Sequence, residues 1–178
     1  YGVQNKSKNK NFINCNLIYK KNIFNLLDRI NPDIIIHSAA LIDLDFCEKN
    51  KKASYYVNVK STKNIVEWIL KKKLKKNIKF IYISSDQVYG KNYKNNTEKK
   101  SFPINTYARH KLMSEIELKK LSNYTVLRTN FVTKGYDKKN LSDWIVYSFK
   151  NNVKLKLFDN ISFNPMSIKT LSETIYKI

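Results

Sequence analysis

Glycine is almost missing from this chain: Gly2, Gly90 and Gly135 are the only three in 178 residues. Three scattered glycines exclude, within the chain, the glycine-rich turn with which nucleotide-binding folds hold a pyrophosphate. Cysteine is nearly as scarce. Cys15 and Cys47 are too few for a disulfide framework and read as reduced thiols of a cytoplasmic protein. No apolar run approaches the roughly 18 residues a membrane span needs, so no membrane partner is expected. Acids are outnumbered, 14 Asp+Glu against 34 Lys+Arg, for a formal net charge of +20. Such an excess suits a nucleic-acid binder. Arginine, the residue fitted to bidentate recognition of phosphates and base edges, is however limited to Arg29, Arg109 and Arg128, and the lysines run along the whole chain. The charge is therefore read as solvated surface, with no specific nucleic-acid partner.

What is present is a globular composition, 42% hydrophobic, in a length suited to one domain of ordinary size. Phe12–Leu17 is a short apolar segment, and Lys20–Ile30 has helical spacing through Ile23, Leu26, Leu27 and Ile30. The β-branched run Ile34-Ile35-Ile36 predicts a strand buried on both faces. Ala53–Leu74 reads as one long helix, Lys79–Ser84 as a strand, and Ser85–Pro103 as a long polar loop. A helix over Asn105–Leu121, a strand at Tyr124–Thr129, a helix at Leu141–Asn151, a strand at Val153–Phe158 and a helix at Ser167–Ile178 complete the chain. Strands alternating with helices predict an α/β fold with a doubly wound, mostly parallel, Rossmann-like sheet. In such sheets ligands lie beyond the carboxyl ends of the strands, which singles out His37–Ala40, Ser84–Tyr89 and Asn130–Thr133.

Tyr107 and Lys111 are four residues apart on a predicted helix, so they share one face. A phenol with an ordinary pKa near 10 exchanges protons poorly at neutral pH unless a nearby cation stabilises its anion. Tyr-x-x-x-Lys alone is weak in a chain with 12 Tyr and this much Lys. Ser84-Ser85 at one strand end, the small residues Ser38-Ala39-Ala40 at another, and Asn58 on the intervening helix give it a setting. The remaining candidates read as structure. His37 is expected to be a satisfied neighbour of the backbone, and His110 to face solvent. Asp43, Asp45 and Glu48 are expected to be caps or helix-start charges, with no metal set, and Cys47 a small buried side chain.

Taken together, Ser38-Ala39-Ala40, Asn58-Val59-x-Ser61-Thr62-x-Asn64, Tyr82-Ile83-Ser84-Ser85-x-x-Val88-Tyr89-Gly90, Tyr107-x-x-x-Lys111 and Leu127-Arg128-Thr129-Asn130 resemble the extended short-chain dehydrogenase/reductases that act on nucleotide sugars. Asp45-Phe46-Cys47-Glu48 and Asn164-Pro165-Met166-Ser167 extend the resemblance over essentially the whole chain, most nearly to the dTDP-4-dehydrorhamnose reductase branch. The resemblance implies an NAD(P)-dependent oxidoreductase that reduces a 4-keto nucleotide sugar for surface polysaccharide. Tyr107 would be the general acid, Lys111 would lower its pKa and hold the nicotinamide ribose, and Ser85 would orient the carbonyl. Asn58 would support Lys111 through water. Ser38, Ala39 and Ala40 would border the cofactor, and Asp86, Gln87, Asn130 and Phe131 the sugar nucleotide. Residues 1–130 would be an incomplete dinucleotide-binding domain, and 131–178 the start of a substrate-binding region. The resemblance also allows a homodimer, an epimerase using the same residues, or a non-catalytic regulatory subunit.

Two departures from the family sharpen this. Related dehydratases carry Asp-Glu after the catalytic hydroxyl; here the pair is Asp86-Gln87, and an amide takes up no proton at neutral pH. The family's opening glycine-rich turn has no counterpart. Tyr1-Gly2-Val3-Gln4 resembles the end of the family's second strand, so the chain is expected to be an internal fragment with about 30 residues missing upstream. After that strand the family's ribose-binding acid is replaced by Gln4-Asn5-Lys6-Ser7-Lys8. Lys6 is thus a candidate contact for a 2′-phosphate, and NADP is preferred over NAD.

Overall fold

The computed structural model describes residues 1–6, 8–72, 76–90, 97–130, 132–133, 141–156 and 164–178. The strands are short and parallel. β1 (Gly2–Gln4) pairs with β2 (Phe12–Asn14). A central three-stranded sheet has the order β3 (Ile34–His37), β4 (Lys79–Ser85), β5 (Tyr124–Thr129), and β6 (Val132–Thr133) pairs with β7 (Met166–Ser167). The register His37↔Tyr82 and Ser85↔Thr129 brings the carboxyl ends of the three central strands to one edge.

Helices fill the connections: α1 (Lys20–Ile30), α2 (Leu44–Lys49), α3 (Lys51–Tyr55), α4 (Ser61–Lys72), α5 (Thr106–Leu118), α6 (Leu141–Lys150) and α7 (Ile168–Lys177). The apolar stripe of α1 (Ile23, Leu27) and that of α4 (Ile65, Trp68, Ile69) meet Phe80 and Tyr82 of β4 and Leu118 of α5 in one core. Trp68 is buried, and its indole N–H donates to Asp28 Oδ1 at 2.9 Å, so the largest core side chain carries no unmet donor. Parallel strands joined through helices that pack on them make this the expected α/β class.

Three sequence expectations need correction. The long helix expected over Ala53–Leu74 is broken by a π-helical turn at Tyr56–Lys60, within which Asn58 and Val59 are buried; Leu74 itself lies outside the described residues. A short helix, α2, precedes it, started by Asp43, whose side chain accepts from Phe46 N. The strand expected at Val153–Phe158 is absent over Val153–Lys156. There Asn152 takes φ 52° and Val153 N donates back to Ser148 O at 2.9 Å, which closes the end of α6 instead of extending the chain; Leu157 and Phe158 lie outside the described residues. Finally, β3 is buried on one face only. Ile34 and Ile36 are 55% and 51% exposed, while the alternate residues carry the buried face, Ile35 packing on the core and His37 being buried.

Candidate active site

The carboxyl end of β4 runs into a short 3₁₀ turn, Asp86–Tyr89, closed by Gly90. Gly90 has φ 75°, and a β-carbon there would stand 1.8 Å from the Phe102 carbonyl oxygen, so only glycine fits. Ser85 ends the strand, and its hydroxyl accepts from Gln87 N and donates to Asp86 Oδ1, both at 3.2 Å. Asp86 also accepts from Asn130 Nδ2, which ties β4 to the residue that follows β5. Burial raises the Asp86 carboxyl above its ordinary value, with these hydrogen bonds opposing.

Helix α5 brings Tyr107 and Lys111 to the same place. Both are buried, at 8% and 2% exposure. The Lys111 ammonium donates to the Ile83 carbonyl at 2.6 Å and stands 4.3 Å from the centre of the Tyr82 ring. Burial pulls it down to about 8, with Glu115 opposing. Burial pushes the Tyr107 phenol up to about 12; the Ser85 hydroxyl opposes this, and Asp86 adds to it. Ser85, Tyr107 and Lys111 thus lie at the carboxyl end of β4, the phenol protonated and hydrogen-bonded to Ser85 and the ammonium bonded to Ile83.

The start of α5 is fixed from three sides. Asn105 caps it, Oδ1 accepting from Ala108 N at 2.8 Å, while Asn105 Nδ2 donates to Gln87 Oε1 at 2.9 Å. Glu48 reaches across from α2 to accept from Thr106 N at 2.5 Å and from Thr106 Oγ1 at 2.9 Å, and these bonds hold its carboxyl below the ordinary range. Glu48 is therefore a cap, as expected, but of a helix 58 residues further along.

Asn58 sits behind this group. Its amide accepts from Leu41 N at 2.8 Å and donates to Leu41 O at 3.0 Å, fixing the chain that follows Ala40. Its carbonyl accepts from Ser114 Oγ of α5 at 2.6 Å. Ser38 and Ala39 are exposed and Ala40 half-buried at the end of β3, leaving open backbone there. Lys6 is exposed in the bend after β1, and Phe131 lies outside the described residues.

Both histidines differ from expectation. His110 is buried rather than solvent-facing, its Nδ1 2.8 Å from Ser54 Oγ, because α3 packs against that side of α5. His37 is buried against the Phe80 and Tyr82 rings, and among the described residues its Nε2 has no hydrogen-bond partner. Burial, reinforced by Lys111, takes it down to about 3. Cys47 is a fully buried small side chain, as expected. The residues that sequence reasoning passed over are Glu115, whose carboxylate is gripped by Arg128 and by the Ser84 hydroxyl, and Asn105. The four-residue step from Lys111 to Glu115 was the available signal for the first.

A nicotinamide nucleotide fits the residues present. Among the described residues, Lys111 Nζ makes one hydrogen bond, leaving two of its three N–H donors for a ligand hydroxyl. Among the described residues no group of His, Cys, Asp and Glu is arranged to hold a metal, and no helix is long and apolar enough to cross a membrane.

Comparison with known proteins follows the same direction. The family model described as RmlD substrate binding domain matches residues 3–178. A dTDP-4-dehydrorhamnose reductase of Aggregatibacter actinomycetemcomitans is 26% identical over 129 residues, covering 70% of this chain and 42% of that protein. Among solved structures, a dTDP-4-dehydrorhamnose reductase of Bacillus anthracis in complex with NADP superposes with a TM-score of 0.83 at 22% identity, covering 93% of this chain and 59% of that one. A hypothetical dTDP-4-dehydrorhamnose reductase of Sulfolobus tokodaii gives 0.85 at 23%, covering 98% and 62%. The enzyme WbmG of Bordetella bronchiseptica in complex with NAD gives 0.82 at 15%, covering 98% and 58%. At these identities the structures establish a shared fold. The chain spans about two-fifths of the curated relative and about three-fifths of the solved chains.

Proposed function

The chain belongs to the RmlD substrate binding domain family, and on that footing we propose that it forms the catalytic part of an NADP-dependent reductase of a 4-keto nucleotide sugar. The observation that carries this reading is the presence of Ser85, Tyr107 and Lys111 at the carboxyl end of β4. The neighbours bound to NADP and NAD support the cofactor class.

In this reading the Ser85 hydroxyl and the Tyr107 phenol hold the keto oxygen, and Tyr107, protonated up to high pH, donates the proton that turns it into an alcohol. Lys111 stabilises the phenolate that this leaves and holds a ribose hydroxyl with its spare donors. When bound, the nicotinamide supplies the hydride. Ser38, Ala39 and Ala40 border the cofactor, and Lys6, exposed with no acid nearby in sequence, takes the 2′-phosphate. Asn58 is a positioning residue, fixing Leu41 on one side and α5 on the other. Asp86 and Asn130 face the sugar nucleotide. Gln87 is engaged with the cap of α5 and carries no titratable group, which favours reduction over dehydration.

The test is NADPH oxidation by the native protein on keto-sugar nucleotides. Tyr107→Phe is expected to lower kcat by roughly 10²–10⁴-fold with little change in KM, and kcat/KM is expected to be higher for NADPH than for NADH. Unchanged turnover in the variant would remove Tyr107 from its role. Interconversion of sugar epimers without net NADPH consumption would make the protein an epimerase.

A further inference from the structure

Apart from the Ile83 carbonyl and the Tyr82 ring face, the groups next to Lys111 are neutral. His37 on β3 has its Nε2 without a hydrogen-bond partner among the described residues, Tyr82 on β4 offers a ring face, and the Tyr107 phenol on α5 is neutral. Asp86 is engaged by Ser85 and Asn130. A buried ammonium loses most of its hydration, and one carbonyl with one ring face replaces little of it. The anion placed to compensate is Glu115, one helical turn further along α5 on the same face.

Glu115 is built in firmly. It is 7% exposed, and Arg128 of β5 grips it with Nη2 at 2.6 Å from Oε2 and Nε at 3.0 Å from Oε1, while Ser84 Oγ donates to Oε1 at 2.5 Å. Arg128 is in turn held by Ser101 Oγ at 3.1 Å and lies 4.7 Å from the centre of the Tyr89 ring. Three donors aimed at one carboxylate satisfy its oxygens in a dry setting. With its oxygens engaged by Arg128 and Ser84, Glu115 acts on Lys111 by its field across one turn of helix, which poor screening in the interior makes effective.

We propose that Glu115, locked in place by Arg128 and Ser84, is the positioning residue that keeps the Lys111 side chain an ammonium at neutral pH. The catalytic use of that charge rests on the reductase reading above, but the charge itself does not. Because Lys111 stands near 8 with Glu115 present, it is about nine-tenths protonated at pH 7. Loss of the carboxylate moves the midpoint down by about one pH unit and leaves the side chain about half charged.

The experiment is a pH titration of the chain carrying ¹³Cε-labelled lysine, followed by NMR, with the Lys111 signal assigned by its disappearance in Lys111→Met. The expected midpoint lies well below that of the other lysines, falls by about one unit in Glu115→Gln, and is retained within a few tenths in Glu115→Asp. Because Glu115→Gln leaves Arg128 without its partner, Glu115→Gln/Arg128→Gln provides a neutral, similarly shaped pair, and there too the midpoint is expected to fall. An unchanged Lys111 midpoint in either folded Gln variant would overturn the proposal. Turnover is not read in this titration, so a failed reductase assay leaves its outcome intact, and the reverse also holds.

Discussion

Asn105 Nδ2 donates to Gln87 Oε1 at 2.9 Å, so the residue that caps the helix bearing Tyr107 and Lys111 is itself anchored to the turn that follows Ser85. One side chain therefore links both halves of the site. Loss of an N-cap of this kind costs about 1 kcal/mol, and here it also releases Gln87. Asn105→Ala is expected to lower unfolding stability by about 1–2 kcal/mol in urea titrations of the chain. Asn105→Asp, which keeps an acceptor for Ala108 N and leaves Gln87 free to turn its amide N–H toward the new carboxylate, is expected to cost less than half as much. Equal losses in the two variants would count against the anchoring role.

Lys111 has the opposite character: it costs stability where it stands. Its amine titrates near 8 in the fold against 10.5 for an unperturbed lysine. Between those values the unfolded chain binds a proton that the folded chain does not, so stability rises with pH across that window. The depression corresponds to about 3 kcal/mol lost at neutral pH. Lys111→Met is therefore expected to make the chain more stable at pH 7 and to abolish the rise between about pH 8 and 10, as read by thermal unfolding across pH. A less stable variant would show that the bond to Ile83 outweighs desolvation.

Much of this was legible from the sequence where a single period governs the outcome. The helix Lys20–Ile30 and the strand Tyr124–Thr129 occur as expected, since each carries an uninterrupted pattern between clear breakers. The four-residue step from Tyr107 to Lys111 likewise survives, because helix geometry alone puts both on one face. The π-helical turn around Asn58 was hidden: Asn58 is polar and gives no hydrophobic signal, and its side chain is held by long-range bonds to Leu41, 17 residues earlier. The same holds for Glu48 and Thr106, 58 residues apart, and for the burial of His110 under α3. Val153–Lys156 has strand-like composition, but the turn at Asn152 decides its course.

His37 sets the acid limit. Its imidazole is held near 3 against 6.5 for an ordinary histidine, so below 6.5 the unfolded chain takes up a proton that the folded chain refuses. Stability is thus expected to fall as pH drops from about 6.5 toward 3, by at most about 5 kcal/mol from this group. His37→Leu, similar in volume and without an unpaired nitrogen, is expected to flatten that limb and to raise stability at pH 6 by about 1 kcal/mol. An acid limb of unchanged slope would assign it to other groups.

The Arg128–Glu115 pair is the opposite of the surface ion pairs on this lysine-rich chain. Its side chains are 11% and 8% exposed, whereas those of Lys20 and Glu67 are 50% and 42% exposed. An exposed pair gains little beyond what water already provides, so Lys20→Ala is expected to change stability by less than about 0.5 kcal/mol. Removing one partner of a buried pair strands the other charge, a loss of about 3–5 kcal/mol. Arg128→Met leaves Glu115 with the Ser84 hydroxyl alone and frees the segment that Arg128 holds through Ser101 Oγ and the Glu98 carbonyl. It is therefore expected to lose about 3–5 kcal/mol in urea titrations at pH 7. Replacing both residues, as Arg128→Met/Glu115→Leu, is expected to recover most of that loss. A double variant no more stable than Arg128→Met would mean that the loss comes from the freed segment rather than from the stranded carboxylate.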